Sequence, residues 1–580
     1  MSSLILKRPW SFRKPKENLI SELSRTLSFP RSLTAFLVNR GLESREAIED
    51  HLTPTLSRLT DPFSMKDMDR AVDRLARAVV NKEKVGIFGD FDADGVTACA
   101  LVSLFLQELG LETFHYIPHR ENEGYGLNQS GIDWFASKGC KLMVSVDCGI
   151  TNVEEVNYAA SLGMDVIVTD HHQPHEFLPK AIACIDPKRA DCAFPFKELS
   201  GVGVAFYLSW ALRRNLHSSG FFRGSPPNLK KYLDLVAVGT VADMMPLYKE
   251  NRILVSAGLQ VLSHDPRPGM KALMEAAGLS GSVSSFDLAF RIGPRLNAAG
   301  RVHHADTAFH LLVGKEHSRA LELAKELHQY NQERQRQERQ LLSEVLEVIK
   351  HKGERPAHVL YGSGWRKGIL GLVASKAVEY ANCPVILLAR DGDTLTGSGR
   401  APEEVDLFSA IGSCYDLFLR FGGHRGAAGV KLPFEKIDEF IKRFEKAVLE
   451  QLSRGIQPVD LKIDAEVDLA ELTTGSYLQI LEQLEPFGPG YEPPLFSARD
   501  FVINGAKVVG QNHLKMSIQP VEPADGNPCL ELLAWGHGDK VDISWNGIEL
   551  AFTPSINRWN GRKSVQLILK DARKSPSFKQ

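Results

Sequence analysis

The sequence predicts an α/β multidomain protein: a parallel-sheet domain, a long connecting helix, a second α/β domain and a small C-terminal β-barrel. Three observations predict it. Short apolar runs alternate with helical patterns from about residue 81 to 314. Residues 315–352 contain no proline or glycine, and Gly314 and Gly353 bracket them. From about residue 456 the pattern changes to short strands and turns.

Residues 1–80 read as a helical N-terminal region, because LTAFLVNRGL and MDRAVDRLARAVV repeat their apolar residues with a 3.6-residue period. The period then shortens. Strands are predicted at VGIF (85–88), TFHYI (113–117), KLMVSVD (141–147), DVIVTD (165–170) and AIACID (181–186). Helical patterns such as VTACALVSLFLQEL and NVEEVNYAASLG lie between them. This alternation indicates βαβ units and a parallel sheet covered on both faces.

The unbroken run 315–352 predicts a helix of roughly 57 Å, at about 1.5 Å per residue. Its middle, HQYNQERQRQERQ (328–340), has one apolar side chain, Tyr330. A helix polar all round has no core to join, so this one is expected to bridge two domains through solvent.

Residues 353–455 form the second α/β unit. Strands are expected at AHVLYG, PVILLAR and TLTGSGR, and helices at GILGLVASKAVEYA and VDLFSAIGSCYDLFLRF. A glycine cluster, FGGHRGAAG (421–429), precedes the closing helix PFEKIDEFIKRFEKAVLEQL. Residues 456–575 have the size and strand pattern of an OB-like barrel.

A net charge of −2 gives no global attraction to polyanions, so nucleic-acid binding needs local basic surface. The last 23 residues supply one, with seven Lys/Arg and one Asp. Trp535, Trp559, Arg562 and Lys563 are candidates for gripping a strand there. The opening MSSLILKRPWSFRKPK lacks the long apolar stretch of a signal peptide. The longest uncharged run, Leu199–Leu212, is fourteen residues, too short to span a bilayer, so no membrane role is expected. Eight scattered cysteines without a C-x-x-C pair argue against zinc and disulfide frameworks and for a reducing, cytoplasmic setting.

The chemistry lies at strand ends. VGIFGDFDADGVTA carries Asp90, Asp92 and Asp94 within five residues. D-x-D-x-D-G resembles the start of a calcium loop, but position 12 would be Leu101 and a strand precedes it, so that reading fails. Ligands of open α/β sheets bind beyond the carboxyl ends of the strands. Asp147 ends another predicted strand, and Asp170, His171 and His172 end the next, so three strand ends deliver acidic or imidazole groups to one sheet edge. Converging carboxylates need a cation. Oxygen donors with one or two imidazoles and no thiolate suit Mn²⁺ or Mg²⁺. More carboxylates than one ion needs suggest two ions, the arrangement of phosphate-ester cleavage. Asp243, after the apolar run in VAVGTVADMMP, is a further acidic candidate. RIGPRLNAAGR carries Arg291, Arg295, Arg301 and Asn297, and arginine forks bind phosphate.

GDFDADG, VDCG, TDHH, GTVADMMP and RLNAAGR, in this order, resemble the DHH phosphoesterase superfamily, and GSGR and GGHRGAAG resemble its DHHA1 domain. With a third, barrel-like domain the chain looks like the single-strand-specific 5′→3′ DNA exonucleases of that superfamily, enzymes of DNA recombination and repair. The resemblance implies metal ligands at Asp92, Asp94, Asp147, His171 and Asp243, with Asp147 bridging two ions. Asp90 is a further candidate, because Phe88 stands where many relatives have a ligating histidine. His171, His172 and Asp147 would be catalytic, His172 by contacting the scissile phosphate or assisting the attacking water. Arg120, Ser398 and Arg400 would hold the 5′ phosphate, Tyr125 would stack on a base, and His424 would face the cleft. Arg295, Asn297 and Arg301 are further substrate-binding candidates. The implied partners are single-stranded DNA and a single-strand-binding protein. Relatives acting on short oligonucleotides or cyclic dinucleotides, and inactive replication scaffolds, are the alternatives; length and the 456–580 region favour the exonuclease.

Overall fold

Five short strands build the sheet that positions the site: Val85–Gly89, Thr113–Tyr116, Leu142–Val146, Asp165–Thr169 and Ala183–Ile185. They are taken from a computed structural model that describes residues 9–14, 16–453, 460–499, 501–510, 512–520, 529–540, 548–559 and 562–574. All five pair in parallel, and the second strand lies outside the first, in the spatial order second, first, third, fourth, fifth. The order therefore reverses between the first and third strands, the switch point where such sheets bind ligands.

Alternation along the strands feeds two apolar layers. Val85, Ile87, Val144 and Ile167 join one core with the helices Ala93–Glu108, Gly201–Ser218 and Leu233–Ala242. Phe88, Met143, Val166 and Val168 face the other layer, with the helices Gln129–Ser137 and Val153–Ser161. Burial on both faces explains why the strands read as continuous apolar runs.

These elements belong to the unit Thr55–Gln457. Its long helix is His317–Lys352, 36 residues. The helix bridges two cores as its polar middle predicts, but one face of that middle is covered rather than solvated. Ala320, Leu323, Ala324 and Leu327 enter the first core, and Leu341, Val345 and Ile349 enter a core beside the helix Lys367–Ala381. Between them Asn331 and Glu338 are buried. Arg334 donates to Glu338 (2.7 Å) and Asn331 (2.6 Å), and Lys376 pairs with Glu338 at 2.6 Å. Buried charges persist because they are paired. Glu338 and Arg334 are four residues apart on one helix face, so the stretch pairs internally before it meets its neighbours.

The second sheet of this unit runs Arg420–His424, Ala427–Pro433, Thr394–Arg400, Val385–Asp391, His358–Ser363, with only the last two strands parallel. The expected helix over 405–421 stops at Gly412, and Arg420–His424 pairs as a strand instead. Gly423 permits this pairing: at φ 151° it lies so close to its partner strand that a Cβ would sit 2.6 Å from the Ala428 Cα.

The other unit combines Met1–Pro54 with Pro458–Gln580. The N-terminal helical region is therefore divided: Glu17–Leu27, Arg31–Asn39 and Arg45–Leu52 lie in this unit, whereas Met68–Asn81 covers the parallel sheet of the first. Ile20, Leu33 and Phe36 pack into one core with Tyr477, Phe496, Phe552 and Leu567. The C-terminal strands form a seven-stranded sheet that, among the described residues, is not closed into a barrel: no ladder joins the edge strands Ala465–Glu466 and Phe501–Val509. The apolar face is filled by the N-terminal helices and Gly475–Leu484. Trp535 is exposed beside His513, and Lys563 pairs with Glu482 at 2.6 Å. The side chains of Trp559 and Arg562 and the tail 575–580 lie outside the described residues. Among the described residues, no helix is long and apolar enough to cross a membrane.

Candidate active site

Asp92 caps the helix that follows the first strand. Its carboxylate accepts the N–H of Asp94 (2.9 Å) and Gly95 (3.0 Å). This satisfies helix-end donors and fixes the Asp92 side chain at the same time. Asp94 reaches the opposite way and accepts the N–H of Gly201 (2.6 Å) and Val202 (2.9 Å). Those donors start the helix Gly201–Ser218, whose positive end favours a carboxylate. Asp147 follows the third strand with φ 61°, a strained conformation for a non-glycine residue. Gly201 makes room for it; a Cβ there would lie 2.5 Å from the Asp147 Cβ. His171 follows the fourth strand, and Asp243 ends the helix Leu233–Ala242.

The His171 Nε2 is 3.1 Å from Asp147 Oδ1, 3.6 Å from Asp243 Oδ2 and 3.9 Å from Asp94 Oδ2. Two separate triads result, Asp94–His171–Asp243 and Asp90–Asp92–Asp147, each with ligand atoms within 4.8 Å of one another. Asp147, His171 and His172 form a third such group that links them.

Burial, then repulsion from Asp92, pushes the Asp94 carboxyl up to about 7 and raises Asp90 well above the carboxylate range. Burial and the charge of Asp94 raise Asp147 and Asp243 likewise. Burial, with the neighbouring His172 charge, drives His171 down to about 3, so its imidazole is neutral, the form that ligates. Asp90 Oδ1, Asp147 Oδ1 and His171 Nδ1 are buried without a hydrogen-bond partner. Five carboxylates and one imidazole crowded this way are relieved by cations. Oxygen-rich donors without thiolate fit Mn²⁺ or Mg²⁺.

His172 sits at the rim. Its Nδ1 is 2.7 Å from Asp170 Oδ1 and 3.0 Å from the Tyr125 hydroxyl. Burial lowers its basicity, but the Asp170 hydrogen bond and charge outweigh that and raise it to about 9. Asp170 also accepts the N–H of Ile150, His171 and His172, so it ties two strand-end loops together. The sequence brings Asp170 to the sheet edge with His171 and His172 but assigns it no ligand, catalytic or binding role; its place at the head of DHH is the signal. Tyr125 is engaged through its hydroxyl, which also donates to the Asp147 carbonyl at 3.3 Å.

A cluster of arginines lies alongside. The Arg120 guanidinium rests 4.6 Å over the Phe91 ring. Arg301 donates to the Gly368 carbonyl at 3.0 Å, joining the first sheet's domain to the second. Burial, then Arg120 and Arg334, lower Arg301 to about 9; Asp92 opposes this and Arg400 adds to it. Burial and Arg120 also lower Arg400. Arg334 is paired with Glu338, whereas Arg120, Arg301 and Arg400 have no ion pair among the described residues and can hold an anion. Arg334, in the polar middle of the long helix, is a member that sequence reading missed.

Family models match in three places: the DHH family, N-terminal domain, over residues 84–240, the DHHA1 domain over 354–450 and the RecJ OB domain over 463–571. A single-stranded-DNA-specific exonuclease RecJ of Dickeya dadantii is 38% identical, over 93% of this chain and 96% of its own. The chain belongs to the RecJ family. Crystal structures of Thermus thermophilus RecJ with Mn²⁺ (TM-score 0.81, 30% identity) and with Mg²⁺ (TM-score 0.76, 28% identity) each cover 98% of this chain; the matches span 80% and 79% of those chains.

In this RecJ-family chain Phe88 is not turned toward the acidic residues. Its ring is buried 5.4 Å from Tyr116 and 6.5 Å from Phe135, in the space left by Gly131. Asp90, two residues on, is the group that joins Asp92 and Asp147. Asn297 points at the backbone: its Oδ1 accepts the Ala93 N–H at 2.8 Å and steadies the metal loop. Arg295 is 3.2 Å from His328 Nδ1 and donates to the Arg291 carbonyl. Ser398 lies half-buried in the strand that ends at Arg400, paired with Gly429. His424 is exposed at the end of its strand, where its Nδ1 accepts the Gly426 N–H at 3.3 Å.

Proposed function

We propose that this chain is a metal-dependent, single-stranded-DNA-specific exonuclease that removes nucleotides in the 5′→3′ direction. One observation carries it: two three-ligand groups meet at the sheet's switch point, beside a partly buried arginine cluster. Asp94, His171 and Asp243 would hold one divalent ion, Asp90, Asp92 and Asp147 the other, with Asp147 nearest both groups. Bound there, Mn²⁺ or Mg²⁺ supplies an activated water and neutralises charge developing on the phosphate.

The protein's own groups do the rest. Arg120, Arg301 and Arg400, with Ser398 alongside, bind the terminal 5′ phosphate and so place the next phosphodiester at the acidic edge. Asp170 orients His172 and keeps it cationic, so that it donates a hydrogen bond to the scissile phosphate. Asn297 and the Asp92 cap hold the loop still while the bond breaks. Positioning of this kind is a large share of phosphoryl-transfer catalysis. The strand-binding role falls to the OB region, and a single-strand-binding protein is the expected partner. All eight cysteines are free, which agrees with work in the reducing cytoplasm.

The test is Mn²⁺-dependent nucleotide release from 5′- and 3′-labelled single strands and from duplex. Release from the 5′ end of single strands, abolished by Asp147→Ala, is expected. No release by wild type, or equal release by the variant, would sink the reading.

A further inference from the structure

Residues 285–302 form one continuous helical segment: a short turn Ser285–Asp287, a π-helical turn Leu288–Ile292 and the helix Gly293–Val302. The metal loop and the arginine cluster use only its C-terminal half, through Asn297 and Arg301. The other half presents Phe286 and Phe290, 62% and 66% exposed, with ring centroids 4.5 Å apart and planes at 34°. Folding does not call for two paired phenylalanines in water. π-turns recur at functional sites.

Their neighbours say what they meet. Asp287 is occupied in a capping box with Ser284, whereas Arg291, 3.5 Å from Asp287, leaves about half of its side chain open. Met244, next to the metal-site residue Asp243, is 72% exposed. The segment abuts that helix end directly, since a Cβ on Gly293 would be 2.9 Å from the Ala242 Cβ.

The order along the segment sets a direction. Arg301 and the phosphate-binding arginines stand at one end, the Asp243 end of its helix abuts Gly293, and Phe290 and Phe286 lie beyond. From Asn297 to Phe290 is about 10 Å at about 1.5 Å per residue. Stacked bases rise about 3.4 Å each, so this is about three nucleotides.

We propose that Phe286 and Phe290, with Arg291 beside them, form a base-stacking platform for the strand on the 3′ side of the scissile phosphate. The proposal rests on the exonuclease reading above. Every base has a face to stack, so the platform tolerates any sequence. In a duplex those faces are covered by neighbouring pairs, so the same platform favours single strands.

The test uses the full chain and 5′-phosphorylated oligothymidylates with Mn²⁺. Phe286→Ala/Phe290→Ala should lower the ratio of kcat/KM for a twelve-mer to that for a dinucleotide at least fivefold, the weak end of one base–aromatic stack. A twelve-mer abasic at nucleotides three to five should cost the wild type a similar factor and cost the variant almost nothing. Phe286→Trp/Phe290→Trp should keep the wild-type ratio. An unchanged ratio in the alanine variant overturns the platform. Equal loss on both lengths also overturns it, as a structural defect. If wild type cleaves neither strand, the exonuclease reading has failed first.

Discussion

Gly201→Ala isolates what the meeting of distant helices does for the metal site. The new methyl would stand 2.5 Å from the Asp147 Cβ and 2.6 Å from its Cγ, whereas ordinary contact begins at 3.4 Å. Either Asp147 or the start of the helix must move by about 1 Å. Neither moves alone, because Asp147 belongs to two ligand groups and the Gly201 N–H is held by Asp94 at 2.6 Å. Overpacking costs about 1–3 kcal/mol. Alanine in place of glycine in a helix returns up to about 1 kcal/mol. Net stability should therefore fall by only about 0–3 kcal/mol, while a 1 Å misplacement of a catalytic group costs about a hundredfold in rate. The assay is kcat and half-saturating Mn²⁺ on a 5′-phosphorylated single strand, beside urea unfolding. Gly203→Ala is the control: on the same helix its Cβ would meet Ser200 Oγ at 3.1 Å and does not reach Asp147. A folded Gly201→Ala protein with wild-type kcat and Mn²⁺ dependence would refute the reasoning, as would an equal loss in Gly203→Ala.

Three further outcomes follow from particular contacts. Asp90→Asn should weaken Mn²⁺ binding more than a hundredfold by calorimetry, because its orphan Oδ1 belongs to the Asp92–Asp147 group; a loss of only about tenfold would mean it acts through a neighbour. Arg400→Ala should erase the preference for 5′-phosphate over 5′-hydroxyl ends in competition assays while leaving Mn²⁺ affinity unchanged; a retained preference would remove Arg400 from the phosphate site. Arg267→Leu should cost about 3–5 kcal/mol in urea, because buried Asp234 loses a fork of 2.6 and 2.8 Å; Asp234→Leu/Arg267→Leu should recover most of it.

Some of the site was legible because it is local. A strand of alternating layers ends where its apolar run ends; Asp90 and Asp147 come directly after such runs, and His171 one residue later, after Asp170. Helix-breaking glycines and the period change likewise placed the long helix and the sheet that follows it. Other roles were not legible, because they depend on partners far away in the chain. Asn297 could be read as a phosphate ligand until its oxygen was seen on Ala93, 204 residues away. Arg334 reads as one of many solvated charges, whereas in the fold it is held by buried Glu338 and Asn331.

What the sequence determined by itself is the strands and helices of the first, parallel sheet and the acids at the strand ends, because backbone period and burial are properties of neighbouring residues. What the tertiary structure decided is the division of labour. It turned Phe88 into an apolar layer and left Asp90 with the ligands. It buried Asn331 and Glu338 in the polar middle of the long helix. It gave the N-terminal helices to the C-terminal unit. In each case a side chain's free energy depends on what another segment brings to it, and a period along the chain cannot carry that information.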